Sequence, residues 1–544
     1  MVPSNTWPHT HRDLVQHYYT KYEKGIASGE FQPLVFPWAG LGAFVVIIYL
    51  LIPHQNRPWL SKARYAVFAF NVAHSIYTVR YVRAKNMASA LGLGLITAWS
   101  VIWILAILAC HDPQKDFQRI ERMEGVFRKT EMKQDVGQDG RTNIGEDADK
   151  RSIDTDQNHH SNGSLAAKEH LGPSKRHGEF AWQPYPLTPF IERVDWVLDL
   201  FGNFRGAGWN WRTIATSPPP KAVQEQLYRN SPHPPQHTFR QHATQTTVHP
   251  TRRALLVANL RTLITGYFML DVLKTIIVHD PYFWGFVDRK PGPYLPSLVT
   301  ENAVLLHCFR LVISQFAIKY ALQTVFSLGP LFFSGVLGPA LLGARAESWI
   351  YPEPWGAYRH VLDRGLAGWW SAWWHQTFRF AFEAPSRRII EAMGMDVKAP
   401  GAKCIQLGVA FGLSGFLHAC GSYTCHGDTR PFLGPIRFFL LQAIAVFGEV
   451  VLTATVHKTG IQNRLPRWLK RGFTFVYVHV WFYFTADLLC ADFARGGVWL
   501  FEPIPVSLLR GVGLGTQGDG WWCWGDSGVR WLSGERWWMS GLAP

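Results

Sequence analysis

His418 lies within an apolar run, residues 404–423, where residues 412–419 read Gly-Leu-Ser-Gly-Phe-Leu-His-Ala. A titratable imidazole costs free energy in hydrocarbon unless it faces a polar cavity, which marks it as a functional position. Kept neutral by loss of hydration, such a ring can accept a proton from a hydroxyl group. A second histidine, His375, stands upstream in Trp369-Trp-Ser-Ala-Trp-Trp-His-Gln-Thr-Phe-Arg. Were this stretch helical, His375 and Arg379 would share a face and could meet the same anion or carbonyl. Tryptophans here have two uses: interfacial belt residues that anchor a helix end, or walls that stack on a flat apolar molecule. The pattern is that of proton-transfer chemistry at membrane depth.

Positioning such residues requires a membrane-embedded bundle. The mean hydropathy of −0.03 resembles that of a soluble protein, but it averages long apolar runs with one long polar stretch. Apolar windows of about 18 residues or more read as spans; the clearest are 34–52, 88–110, 404–423, 435–456 and 472–490. Weaker ones are 254–278, with Arg261, Asp271 and Lys274, and 303–328, with Arg310 and Lys319. Residues 63–82 are a further candidate, and the Gly/Pro-broken run 328–343 a re-entrant one. The expected fold class is all-α: a polytopic integral membrane protein of roughly seven to nine transmembrane helices around an internal reaction chamber. Its weaker helices are expected to line a wet cavity.

The expected organisation is a polar N-terminal arm (1–33), N-terminal transmembrane helices (34–110), a disordered polar insertion (111–179), an interfacial segment and linker (180–250), a catalytic transmembrane core (251–492) and a Trp/Gly-rich tail (493–544). The first thirty residues are polar and the run at 34 is long enough to span, so no cleaved signal is read. Residues 131–177 are rich in Asp, Gln, Asn, Gly and Lys and are expected to be disordered. The stretch from Phe180 through the amphipathic Val194-Asp-Trp-Val-Leu-Asp-Leu-Phe is expected to lie on the membrane surface, and Ser217–Pro220 and Pro232–Pro235 to form an extended linker.

The chain carries 54 Lys and Arg against 39 Asp and Glu, a formal net charge of +15. The basic residues collect in short loops rather than on one aromatic-interleaved face, which argues against nucleic acid as a partner. Lys458, Arg464, Arg467, Lys470 and Arg471 mark one loop as cytosolic, and 387–403 reads the same way more weakly. Basic residues flank 63–82 on both sides, so the rule gives no orientation for the N-terminal half. A cytosolic basic rim suits a polyanionic co-substrate such as coenzyme A, and anionic lipid headgroups equally. The seven cysteines form no paired framework and read as small buried hydrophobes.

Other motifs carry less. His418, Cys420, Cys425 and His426 could supply four zinc ligands, but the spacing fits no common zinc pattern, and no metal site is expected. His111-Asp-Pro-Gln-Lys-Asp116 imitates a His-x4-Asp acyltransferase motif where a chance match is the simpler account, and His9 to Asp13 is a His-x3-Asp spacing in an arm expected to be unstructured. Gly-x-Ser-x-Gly, the P-loop and His-Glu-x-x-His are missing, which removes serine hydrolase, nucleotide hydrolase and zincin readings. A polytopic transporter could also place His and Arg in spans, but neither inverted repeats nor paired broken helices are evident.

A histidine inside an apolar helix and an upstream histidine that follows a tryptophan resemble the pair of the membrane-bound O-acyltransferase superfamily. Within it, Trp374-His375-Gln376 with Arg379, and Arg193-Val-Asp-Trp-Val to Asn203-Phe-Arg-Gly-Ala-Gly-Trp, are similar to the fungal wax synthase-like branch. The resemblance covers roughly 182–492; it departs at Ser371-Ala372-Trp373, where many relatives carry a bulkier polar or basic stretch. It implies acyl transfer, acetyl favoured, from acyl-coenzyme A to a hydroxyl of a hydrophobic acceptor of the terpenoid or meroterpenoid kind, in the endoplasmic reticulum membrane. Long-chain wax ester synthesis is the alternative. His418 and His375 are then the catalytic candidates, the former as base and the latter to orient the acceptor or hydrogen-bond the oxyanion. Trp370, Trp374, Gln376, Arg379 and Ser414 are the candidate substrate-binding residues. The implied partners are acyl-coenzyme A as co-substrate, an alcohol and the lipid bilayer, with no tightly bound cofactor.

Overall fold

The computed structural model describes residues 8–123, 178–230, 246–459, 465–525 and 528–544. The expected disorder of 131–177, the Pro232–Pro235 part of the linker and Arg464 of the basic loop lie outside the described residues. Helices dominate the rest. Among the described residues, six segments are long and apolar enough to cross a membrane: Met87–Ala109, Arg252–Ile277, Ala303–Ala346, Pro400–Thr424, Phe432–Val456 and Arg467–Arg495. The further expected spans form helices too: Trp38–Leu51 is apolar but shorter, and Arg64–Tyr81 is less apolar. The broken run 328–343 continues the helix Ala303–Pro330 through a π-helical stretch to Gly338, whose φ of 67° turns the chain. The protein is a polytopic, all-α integral membrane protein, with three two-stranded ribbons at its edges.

Local chemistry sets these elements. Asn86, Thr251 and Asn302 cap the helices that follow them, each side-chain oxygen accepting from a backbone N–H one turn in, at 2.9, 3.1 and 3.0 Å for the closest. The outer faces keep large apolar residues uncovered, among them Ile444, Leu452, Phe473 and Phe484, as lipid contact requires. Inside, Met87–Ile104 crosses Pro400–Thr424 at very short range. A Cβ on Gly94 would stand 2.0 Å from the Cys420 carbonyl oxygen, so only glycine allows this approach.

The charged residues of the weaker spans do not simply line a wet cavity. Asp271 is fully buried and accepts from the backbone N–H groups of Leu508 and Leu509, at 2.8 and 3.1 Å, and from the Ser507 hydroxyl. Lys274 donates to the Trp499 carbonyl at 2.7 Å and faces Glu502 at 3.7 Å. Arg310 forks onto Asp280 with two 2.9 Å bonds. Each buried charge is satisfied by a neighbouring segment, because an unpaired one would be costly.

The described residues toward both ends of the chain are folded. The arm expected to be unstructured forms a helix, His11–Ala27, opened by a reciprocal Thr10–Asp13 capping box, and that cap accounts for the His9–Asp13 spacing. Arg12 donates to Asp519 at 3.0 Å, which ties this helix to the C-terminal tail. The His111–Asp116 match is structural as well: Asp116 accepts from the Asp112 N–H at 2.7 Å, and the His111 ring meets the Ala106 carbonyl at 2.8 Å. The stretch expected at the membrane surface is anchored inward instead. Trp196 and Trp209 are essentially fully buried, and Arg119 holds Asp195 and Asp199 of the helix Phe190–Gly202 at 2.7 and 3.3 Å. Phe190, Ile191 and Leu198 on its other face remain exposed.

Candidate active site

The segment after Gly368 makes a π-helical turn, Trp369–Trp373, and then leaves helical geometry at Trp374, with φ −63° and ψ 146°. Gln376 holds the break open. Its side-chain amide donates to the Trp370 and Trp374 carbonyls at 3.0 and 2.6 Å, satisfying acceptors that a continuing helix would have used. Arg379 braces it in turn, donating to Gln376 Oε1 at 3.1 Å and to the Ser371 carbonyl at 3.2 Å, and pairing with Glu383 at 2.5 Å. The helical i, i+4 relation between His375 and Arg379 is therefore not present: the next helix begins only at Arg379. Gln376 and Arg379, read from sequence as substrate-binding, spend their hydrogen bonds on the backbone that presents His375.

His375 enters an aromatic shell. Its ring centroid lies 5.3 Å from Trp374, 5.5 Å from Phe326 and Phe378, and 5.7 Å from Trp355. Nδ1 is buried and has no hydrogen-bond partner, an expensive state for a polar atom unless a ligand completes it. Burial, and then repulsion from His418 and Arg205, pushes its pKa down to about 3, so the ring is neutral at physiological pH.

His418 stands in the middle of Pro400–Thr424. Its Nδ1 lies 2.8 Å from the Ser414 carbonyl one turn earlier. A carbonyl can only accept, so Nδ1 carries the proton and Nε2 of the neutral ring presents a lone pair. Ser414 thus acts through its backbone, while its hydroxyl bonds the Ala410 carbonyl at 2.9 Å. Phe439 packs 4.7 Å from the His418 ring and 6.0 Å from Trp370, which in turn lies 6.1 Å from Trp374. Trp370 and Trp374 accordingly stand in the series of ring contacts that runs between the two histidines. Both imidazoles are half-buried.

A cavity of about 340 Å³ opens beside this shell, lined by Phe326 and Thr377 and, farther out, by Asn203, Arg205, Tyr351 and Glu353. Arg205 donates to the Pro352 and Glu353 carbonyls at 2.6 and 2.9 Å, and burial lowers its pKa to about 10. Sequence reasoning did not single out Arg205, Phe326, Trp355 or Phe439 as site residues. Arg205 alone carried a signal, since it lies in the Asn203-Phe-Arg-Gly stretch. The zinc alternative does not assemble: the His426 ring meets the Lys85 carbonyl at 3.0 Å and the Cys425 thiol the Gly421 carbonyl at 3.3 Å, and among the described residues no three His, Cys, Asp or Glu side chains group for a metal.

Residues 351–441, which contain both histidines, match the model of the membrane bound O-acyl transferase family. The chain is also similar to an acetyltransferase of Rhodocybe pseudopiperita, 24% identical over 54% of this chain and 65% of that one. It is 23% identical to an O-mevalon transferase of Penicillium terrestre over 47% and 53% of the two chains, and 24% identical to an acetyltransferase of Calcarisporium arbuscula over 44% and 56%. The chain thus spans between half and two thirds of the length of these curated relatives. No solved structure matches it.

Proposed function

We propose that this chain, whose two-histidine segment matches the model of the membrane bound O-acyl transferase family, moves an acyl group, acetyl favoured, from acyl-coenzyme A to a hydroxyl of a hydrophobic, terpenoid-type acceptor in the endoplasmic reticulum membrane. The observation that carries the reading is the run of ring contacts from His375 through Trp374, Trp370 and Phe439 to His418, with the His418 Nδ1 on the Ser414 carbonyl and the His375 Nδ1 unpartnered. The fungal relatives named as acetyltransferases support acetyl as the group moved.

In this mechanism His418 Nε2 takes the proton as the alcohol oxygen attacks the thioester carbon. The new C–O bond forms, the tetrahedral oxyanion collapses, the C–S bond breaks, and the proton passes from His418 to the departing thiolate. No covalent acyl-enzyme is needed. His375, with a proton on Nδ1, donates to the developing oxyanion, a contribution that grows where water is excluded. Trp370, Trp374 and Phe439 hold the acceptor flat against the two rings. Coenzyme A approaches from the cytosolic side, where the basic loop 458–471 lies, and the acceptor enters from the bilayer.

The test is ester formation by membranes carrying the protein, given labelled acetyl-coenzyme A with a panel of terpenoid and fatty alcohols. Acetylation of a terpenoid alcohol that depends on His418 is the expected result. Turnover only with long-chain donors and fatty alcohols would replace this reading with wax ester synthesis, and the absence of any ester would remove it.

A further inference from the structure

Lys319 lies far from both ends of the helix Ala303–Pro330. At 1.5 Å per residue it is about 24 Å from the start and about 17 Å from the end, beyond the reach of its own side chain. Asp271, Lys274 and Arg310 each have a partner described above and Arg261 is exposed; no carboxylate among the described residues pairs with Lys319. Its ammonium meets Gln323 Oε1 at 3.0 Å and sits 4.7 Å from the Tyr320 ring and 5.9 Å from that of Trp355. A lysine at mid-span is costly to insert, so its presence there points to a use.

Its surroundings say which. Trp355 is the ring packed edge-on against His375 at 5.7 Å. Phe326, seven residues and two turns along the same face, also packs against His375. Trp355 thus stands in contact with both the ammonium and the His375 ring. The Gln315 amide nitrogen, one turn before Lys319 on that face, is buried without a partner, and so are the indole nitrogens of Trp355 and Trp370. A cation at this depth with no carboxylate partner suits a ligand that brings acceptor oxygens and negative charge.

We propose that Lys319, with Gln323 and Trp355, binds a carboxylate carried by a substrate inside the chamber. This deepens the acyl-transfer reading and rests on it for the identity of the chamber. Lys319 is about 10 Å along the helix from Phe326, so the carboxylate belongs to the far end of the molecule, away from the reacting hydroxyl or thioester. Two sources share this chemistry: an acid group on the polycyclic acceptor, or the free end of a dicarboxylic acyl chain.

The test is equilibrium binding to the purified full-length protein in detergent, without turnover. One arm compares a tricyclic diterpenoid acid with its methyl ester; the other compares succinyl-coenzyme A with butyryl-coenzyme A. In one arm the carboxylate ligand is expected to bind at least tenfold more tightly than its neutral counterpart. Lys319→Met should bring the ratio near one, and Lys319→Arg should keep it. The arm that shows the preference identifies the source. Equal binding in both arms by the unmodified protein overturns the proposal even if no variant folds, and so does a preference that survives in Lys319→Met. Because nothing is turned over, loss of the acyl-transfer reading and loss of this one are separate results.

Discussion

Gly365 and Glu449 meet so closely that a Cβ on the glycine would stand 1.7 Å from the carboxylate Oε1. The glycine has φ +59°, a left-handed conformation that breaks the helix Arg359–Gly368 and frees the next backbone N–H groups. Glu449, from the span Phe432–Val456, accepts from two of them, Leu366 at 3.0 Å and Ala367 at 2.7 Å. A carboxylate at membrane depth thereby caps the short helical piece that ends in the Trp369–Trp373 turn and His375.

This joint gives the first prediction. Gly365→Ala adds both the clash and an unfavourable φ, and should lose nearly all ester formation together with thermal stability. Glu449→Ala leaves two donors without their charged acceptor and should cost roughly 2 kcal/mol, whereas Glu449→Gln keeps one acceptor oxygen and should cost less than half of that. Melting temperatures in detergent read the order; equal loss in the two Glu449 variants would contradict the cap.

His418→Ala removes the base that the Ser414 carbonyl orients. Turnover should fall by about 10²- to 10⁴-fold, the range for one general base, with melting temperature nearly unchanged. His375→Asn should fall less, since an amide can still donate to an oxyanion, and His375→Phe should fall further. A His418→Ala protein with more than a tenth of the original rate would remove the assignment.

The two histidines were legible because each is anomalous in its own segment: an imidazole in an apolar helix and an imidazole among tryptophans. Apolar runs also located the six long spans. What joined the histidines was not legible, since Phe326, Trp355 and Phe439 are ordinary aromatics until the chain brings them together. The helical spacing of His375 and Arg379 misled for a definite reason. The Gln376 side chain replaces the lost helical hydrogen bonds, and this cap from within the segment has no periodic signature. Likewise the Thr10–Asp13 capping box marks the helix of the polar N-terminal arm locally, but its tie to Asp519, more than 500 residues away, has no local pattern.

Acid should destabilise the protein. Burial lowers His11 and His426 to about 4 and His375 to about 3, while unfolded histidine titrates near 6.5. Between those values the unfolded chain binds protons that the folded one refuses, so stability rises with pH across that window and is lost as pH falls through it. The melting temperature should drop from pH 7.5 to pH 5.0. A rise, or no change, would mean that these rings are hydrated.

Arg379 separates a bracing role from a substrate contact. Arg379→Ala releases Gln376 and the Ser371 carbonyl, so kcat should fall at least tenfold while KM for the acyl donor moves less than threefold. Arg379→Lys keeps the charge but loses the fork and should resemble the alanine variant. Were the guanidinium a ligand for coenzyme A phosphate, KM would rise instead and lysine would rescue it.

Gly94 tests whether the placement of His418 depends on the neighbouring span. Its N–H lies 3.1 Å from the Thr424 hydroxyl, and a Cβ would stand 2.0 Å from the Cys420 carbonyl oxygen and 2.3 Å from its carbonyl carbon. These are backbone atoms of the His418 helix, which no side-chain rotation can move aside. Gly94→Ala must therefore push the two helices apart, at a cost of about 1–3 kcal/mol, and shift an imidazole only two residues from the contact. Gly92, on the same helix, has nothing within 4 Å of its would-be Cβ. Gly92→Ala should leave both melting temperature and ester formation intact, while Gly94→Ala lowers the first and cuts the second at least tenfold. If the two variants behave alike, the close crossing of these spans does not position the base.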